Sequence, residues 1–347
     1  MQDKIIITLD LGATKCAAGI VQYDAEREIL ICERTCHLLL SETSSLQDLI
    51  RQIEGRLDIP FRAADAICIG AAGQYNGREL IHLAGVYPYS MPFAELAQKD
   101  KWPRFAVLHD YDTVVCATFT SYMQQPHHLI RLNDCVPQVH QRRVALGLGT
   151  GLGLKDGVLL PNGDFWLGKN EMGHIGVTNP PKAEPQRALQ HLAFTQFLRA
   201  KQAKSTDQIT FENMLTGRGL VSLYQFLYPD HAVPTPAFIG DKISAGDIPE
   251  LLDLLAWYLG LFIGTVQLAF MPEGGIWITG GVVIKNLEIF QQPSFQEGII
   301  ASPAFLKERE EYPMAVMINP EHALIGAGYY AVKRLLSPIT YLSSSLL

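Results

Sequence analysis

Charge is scarce in this sequence and nowhere concentrated. Only 18% of its 347 residues are Asp, Glu, Lys or Arg, and the formal net charge is −7. No basic run and no RNA- or DNA-binding module is present, so a partner held through its phosphate backbone, and with it any nucleic acid, is not expected. Cysteine is scarce too, with six residues (Cys16, Cys32, Cys36, Cys68, Cys116, Cys135) and none further on. Cys32 and Cys36 are the closest pair, but no second Cys/His pair stands at zinc-binding spacing. Cys16, Cys68 and Cys116 sit in apolar runs and read as small core residues. Residues 1–4 lack the apolar stretch of a signal peptide, which makes the cytoplasm the expected location. One long uncharged run exists, residues 254–271. It contains Tyr258, Thr265, Gln267 and two glycines, with Asp253 abutting it and no positive flank. That pattern reads as the core helix of a large lobe, and no membrane partner is expected.

The remaining composition is that of a folded chain, 48% hydrophobic, with no low-complexity tract and length enough for two cores. Two look-alike segments stand about 140 residues apart. Residues 5–15 (IIITLDLGATK) and 144–153 (VALGLGTGLG) each read as a buried strand and a tight Gly/Thr turn, with a returning strand to follow. Small residues in such a turn let backbone N–H groups approach an anion, and the threonine adds a hydroxyl. Two such turns, one per half of the chain, suit a two-lobed phosphotransferase.

Between and beyond them the pattern predicts helices at residues 44–57, 113–122, 187–201, 211–227 and 323–336. Strands are predicted at 66–69, 105–108, 275–279 and 315–318. The expected division is a small α/β lobe over residues 1–120, completed by a C-terminal helix at about 323–340, and a large α/β lobe over 121–322.

Asp10 ends the first strand beside a phosphate turn, where an acidic residue either holds hydrated magnesium or is satisfied by local backbone donors. Asp110 follows the apolar strand 105–108 and precedes a helix. Ligands gather at that edge of an α/β sheet, and a helix N-terminus favours an ionised carboxylate able to accept a proton from an alcohol. The alternative is an ordinary N-cap, and Asp112 is a competing carboxylate. Glu171 and His174, separated by Met172 and Gly173, suit a loop that offers hydrogen-bond partners to hydroxyls. Glu212 opens a helix, where a carboxylate also suits the macrodipole. Gly280 and Gly281 end a buried strand and permit either a flat ligand or an ordinary turn.

Taken in order, these blocks resemble the bacterial glucokinase family of the hexokinase/actin-like group. The pieces are Asp10-Leu-Gly-Ala-Thr14, Gly149-Thr-Gly-Leu-Gly153, Glu171-Met-Gly-His174, Leu215-Thr-Gly-Arg-Gly-Leu220, Ile278-Thr-Gly-Gly-Val282 and Ala323-Leu-Ile-Gly-Ala-Gly328. The resemblance implies an α/β, two-lobed actin-like ATPase (ribonuclease H-like) fold with a cleft between lobes. It implies phosphorylation of a hexose by ATP at the 6-hydroxyl, with glucose as the first expectation. ATP would bind at Gly12, Ala13, Thr14, Gly149, Thr150, Gly151, Gly280 and Gly281, with Mg2+ near Asp10. Asp110 would be the catalytic base, and His109, Glu171, His174 and Glu212 would hold the sugar. A homodimer is a further expectation. Where the family has Asn before its catalytic Asp, this chain has His109; the family's Gly-Gly-Thr is Gly12-Ala13-Thr14; and Leu83-Ala84-Gly85 stands where relatives often carry Thr-Asn. Another hexose such as mannose or an N-acetylhexosamine is therefore an alternative substrate, and a catalytically weak sugar sensor is the alternative from outside enzymology.

Overall fold

The computed structural model describes residues 3–81, 87–177, 183–201 and 208–337. It separates into two compact units. One takes in the described residues of 1–129, 157–168 and 319–347; the other takes in those of 130–156 and 169–318. The segments 121–129 and 157–168 thus belong with the N-terminal unit.

The first unit is built on a five-stranded sheet of β1 (Lys4–Leu11), β2 (Lys15–Asp24), β3 (Ile29–Leu39), β4 (Ala66–Ala71) and β5 (Arg104–His109). Its spatial order is β3-β2-β1-β4-β5, antiparallel through the first three strands and parallel from β1 to β5. β1 shows why such a run forms a central strand. Ile7, Leu9 and Leu11 project to one face and join Leu46, Leu49, Ile50 and Ile53 of helix α1 (Leu46–Leu57), whereas Ile6 joins a cluster with Ile325 and Ala327 on the other. Period-two alternation with apolar residues on both faces is the mark of a strand covered on both sides. Cys16, Cys68 and Cys116 are fully buried, as their apolar settings predict, and all six thiols are free.

The predicted helix at 113–122 begins earlier and ends sooner. It runs as α2, Asp110–Thr118, because His109 and Asp112 together cap its start. β4 also runs on through Gly70 to Ala71, where the sequence suggested that the strand stops at residue 69.

A second sheet contains β6 (Leu129–Arg131), β7 (Arg143–Leu148), β8 (Leu152–Leu159), β9 (Phe165–Leu167), β10 (Ile276–Thr279) and β11 (Met314–Met317) in the order β9-β8-β7-β10-β11-β6. Leaving aside the edge strand β6, the chain order across the sheet is 3-2-1-4-5, the same as in the first sheet. The repeated sequence signal is thus a repeated topology. Helices α3 (Pro185–Lys201), α4 (Gly217–Leu227), α5 (Pro249–Phe270) and α6 (Pro293–Ile300) belong to the second unit.

The single helix expected over 211–227 is broken. Thr216 is extended (φ −88°, ψ 177°), and its hydroxyl oxygen accepts from Gly219 N–H, so α4 starts afresh after a short turn Glu212–Leu215. The apolar run predicted as a core helix is α5, whose most apolar stretch is 83% buried. A Cβ at Gly260 would lie 2.0 Å from the Phe295 carbonyl oxygen, and one at Gly298 would lie 2.2 Å from that of Trp257, so paired glycines bring α5 and α6 into backbone contact. The C-terminal helix of the first unit, α7 (His322–Ala331), continues as a π-helical turn over Val332–Leu336.

Candidate active site

In the first unit, Asp10 and Asp110 are brought together by the sheet register. Asp10 lies opposite Gly70 on the neighbouring strand, and Gly70 has no side chain to keep α2 away. A Cβ there would stand 2.9 Å from the Thr113 side chain and 3.5 Å from the Asp110 Cα. Burial, and then the charge of Asp110, push the Asp10 carboxyl up to about 6. Among the described residues, no hydrogen-bond donor reaches the Asp10 carboxylate. A half-buried carboxylate short of donors and beside another carboxylate is a setting that a divalent cation relieves. No group of three or more His, Cys, Asp or Glu placed to hold a metal exists among the described residues. A divalent ion at Asp10 would therefore have to keep most of its water.

The two candidate carboxylates on α2 are separated by their local bonds. His109 is the N-cap: its Nδ1 accepts from Tyr111 N–H at 3.4 Å, and its own N–H donates to Asp112 Oδ2 at 3.1 Å. Asp112 closes the capping box. Asp110, at the first helical position, takes no part in the box. Its Oδ1 accepts from Tyr111 N–H at 2.9 Å and lies 2.7 Å from His109 Nδ1. A buried phenol, Tyr87, and a half-buried one, Tyr111, stand near it. Tyr87 donates to the carbonyls of Ala72 (2.7 Å) and Leu11 (3.1 Å), and burial followed by the Asp110 charge pushes both Tyr87 and Tyr111 above the ordinary phenol range. Neither tyrosine belongs to a motif. Leu83, Ala84 and Gly85 lie outside the described residues.

The first glycine turn is exposed at Ala13 and Thr14 and is closed by Gly12 N–H donating to Lys15 O at 2.9 Å. Its counterpart in the second unit is closed by Gly149 N–H donating to Gly151 O at 3.0 Å, and Thr150 is exposed at its tip. Gly217 N–H, at the start of α4, donates to Gly149 O at 3.0 Å. Gly280 arrives at the same edge, since β10 runs parallel to β7 with Thr279 opposite Gly147. Its φ is +99°, and a Cβ would lie 2.4 Å from the Leu148 carbonyl oxygen, so only glycine fits. Gly149, Thr150, Gly151, Gly280 and Gly281 thus gather at the carboxyl ends of two parallel strands, the usual place for a ligand in such sheets.

Glu171, His174 and Glu212 are also assembled there, around the first residue of β8. Leu152 N–H donates to Glu212 Oε2 at 3.2 Å, and Glu212 is flanked by Arg218 at 3.7 Å and by His174 Nε2 at 3.9 Å. Gly173, between Glu171 and His174, presses on the Leu152 backbone. Glu171 and His174 keep 70% and 60% of their side chains exposed, so their polar atoms remain open to a ligand. Arg218 lies inside the Leu215–Leu220 block but was assigned no role there, and Lys155, 3.7 Å from Glu171, belongs to no motif.

A ribonuclease H-like strand order that occurs twice, bearing carboxylates on one sheet and glycine turns on both, defines the class of actin-like ATPase-fold phosphotransferases. The glucokinase family description matches residues 7–334. A curated glucokinase of Psychromonas ingrahamii is 32% identical over 192 residues, which span 53% of this chain and 56% of that protein. Among solved structures, a glucokinase from an Antarctic psychrotroph superposes with a TM-score of 0.78 at 18% identity, covering 94% of this chain and 98% of the other. A Streptomyces griseus glucokinase of the ROK family, solved with glucose and AMPPNP, gives a TM-score of 0.60 at 19% identity, covering 95% and 99%. The chain belongs to the glucokinase family.

Proposed function

We propose that the protein phosphorylates a hexose at its 6-hydroxyl with ATP, glucose being the first substrate to test. Family membership supports hexose kinase chemistry, and the division of labour on α2 supports the choice of base. Asp112 is spent on the helix cap, whereas Asp110 stands outside the box with only Oδ1 engaged, which leaves its Oδ2 for the substrate. As the sugar oxygen attacks, its O–P bond forms while the bond from the γ-phosphorus to ADP breaks, and the hydroxyl proton passes to Asp110. Glu171, His174 and Glu212 hydrogen-bond the other hydroxyls and orient the attacking oxygen. Gly12, Ala13, Thr14, Gly149, Thr150, Gly151, Gly280 and Gly281 supply small-residue turns for phosphate and nucleoside. Asp10 would hold hydrated Mg2+, which would offset phosphate charge.

His109 favours a second reading of the substrate. By the resemblance it replaces the family's asparagine with a larger ring, and its Nδ1 lies 2.7 Å from Asp110 Oδ1, so mannose or an N-acetylhexosamine belongs in the test. ADP release measured across a sugar panel decides between these readings. Turnover with one hexose supports the kinase, whereas sugar-dependent tightening without turnover supports a sensor. A cytoplasmic, glycolytic homodimer completes the proposal.

A further inference from the structure

Lys155 is a buried cation that no motif marks. It lies in β8, its side chain is 7% exposed, and Nζ donates to the Asn170 carbonyl at 3.0 Å while standing 3.7 Å from Glu171 Oε1. The next residue, Asp156, is also buried and accepts from Asn170 Nδ2 at 3.0 Å, with Arg142 Nε 3.6 Å away. Burial pushes the Asp156 carboxyl up against the opposing pull of Arg142 and Asn170. Asn170 is thus held twice from β8, and its Oδ1 accepts in turn from Met172 N–H at 3.4 Å. An ammonium is costly to bury, and an apolar side chain would fill the same space without that cost. What the charge adds is a fixed attraction on the inner side of an otherwise exposed carboxylate.

Resting on the sugar-binding role proposed for Glu171, we infer that Lys155 is a positioning residue for the hexose site. It ties the Asn170–Glu171 backbone to β8 and holds Glu171 in place as a hydroxyl acceptor. Its partners, the Asn170 carbonyl and Glu171, both belong to the loop assigned to the sugar, so its effect falls on sugar binding and spares the donor.

The test is a double-mutant cycle on the full chain with glucose and ATP. Lys155→Met is expected to raise the KM for the hexose about tenfold with kcat within about threefold and the KM for ATP unchanged. Lys155→Arg restores most of the loss. In a Glu171→Gln background, adding Lys155→Met raises the hexose KM by a clearly smaller factor, about threefold or less, because the charged partner is gone and only the tie to the Asn170 carbonyl is left to lose. Should Lys155→Met fail to fold, Lys155→Gln, which keeps a donor for the Asn170 carbonyl but no charge, takes its place in the cycle. An unchanged hexose KM, or the same factor with and without the Glu171 charge, overturns the inference alone. A wild-type protein that releases no ADP with any hexose overturns the functional reading, and this one with it.

Discussion

Gly173 and Leu152 touch through their backbones. A Cβ at position 173 would lie 2.2 Å from the Leu152 carbonyl oxygen and 3.1 Å from the Leu152 Cβ. The same residue's N–H donates to Glu212. One residue of β8 therefore seats both the Glu171–His174 loop and the Glu212 carboxylate. Gly173→Ala forces that loop off the strand at a cost of about 1–3 kcal/mol. Both the melting temperature and hexose affinity are expected to fall, and calorimetry with titrated sugar reads both. Retained affinity would show that the loop's seat on β8 does not position the sugar partners.

The two carboxylates of α2 have separable variants. Asp110→Asn is expected to lower kcat by about 10²–10⁴-fold while sugar still binds, because only the proton acceptor is lost. Asp112→Asn is expected to leave kcat near wild type and to cost about 1 kcal/mol of stability through the weakened cap. Single-turnover kinetics and urea denaturation on the pair check this, and a reversed pattern would exchange the two assignments.

Asp10 makes stability depend on pH. Its carboxyl titrates at about 6 in the folded chain against 3.8 for the free side chain, so the folded state holds the proton more tightly. The stabilisation belongs to the neutral form. It is complete below about pH 4 and is lost as pH rises through about 6. Asp10→Asn, which is neutral at every pH, is expected to match wild type at pH 4 and exceed it by about 1–3 kcal/mol at pH 8 in the absence of Mg2+. Urea unfolding at the two pH values decides the matter; a difference that does not change with pH would count against a desolvated carboxylate at this position.

His109→Asn tests the sugar. Asparagine is as good an N-cap as any, so α2 is expected to keep its start and stability within about 0.5 kcal/mol. If the imidazole narrows the site for glucose, the KM for glucose falls. An unchanged or higher KM would remove the reason for preferring another hexose.

The residues themselves account for how much was legible. The strands around residues 5–11 and 144–148, their glycine turns, and the core helix over 254–271 follow from local periodicity and from small residues at turns. They survive in the fold with small shifts of boundary. The start of α2 was misplaced by three residues because histidine is an uncommon cap, and its partnership with Asp112 needs the folded turn. The break at Thr216 lay hidden in a helical pattern, since the threonine that interrupts it is recognisable as a cap only by its extended backbone. Lys155 was invisible for another reason: a lysine in a strand is ordinarily a solvated side chain, and its partner, the Asn170 carbonyl, comes from a loop fifteen residues on.

Sequence alone determined the α/β character, the doubled strand–turn–strand signal and the residue types of the site, because these depend on neighbours within a few positions. The fold decided which carboxylate on α2 closes the capping box, that Gly70 lies between the backbones of Asp10 and Asp110, and that Leu152 touches both the Glu171–His174 loop and the Glu212 carboxylate. Those relations join residues tens of positions apart, and chain connectivity does not set such distances. Sheet register and the close approach permitted at glycine do.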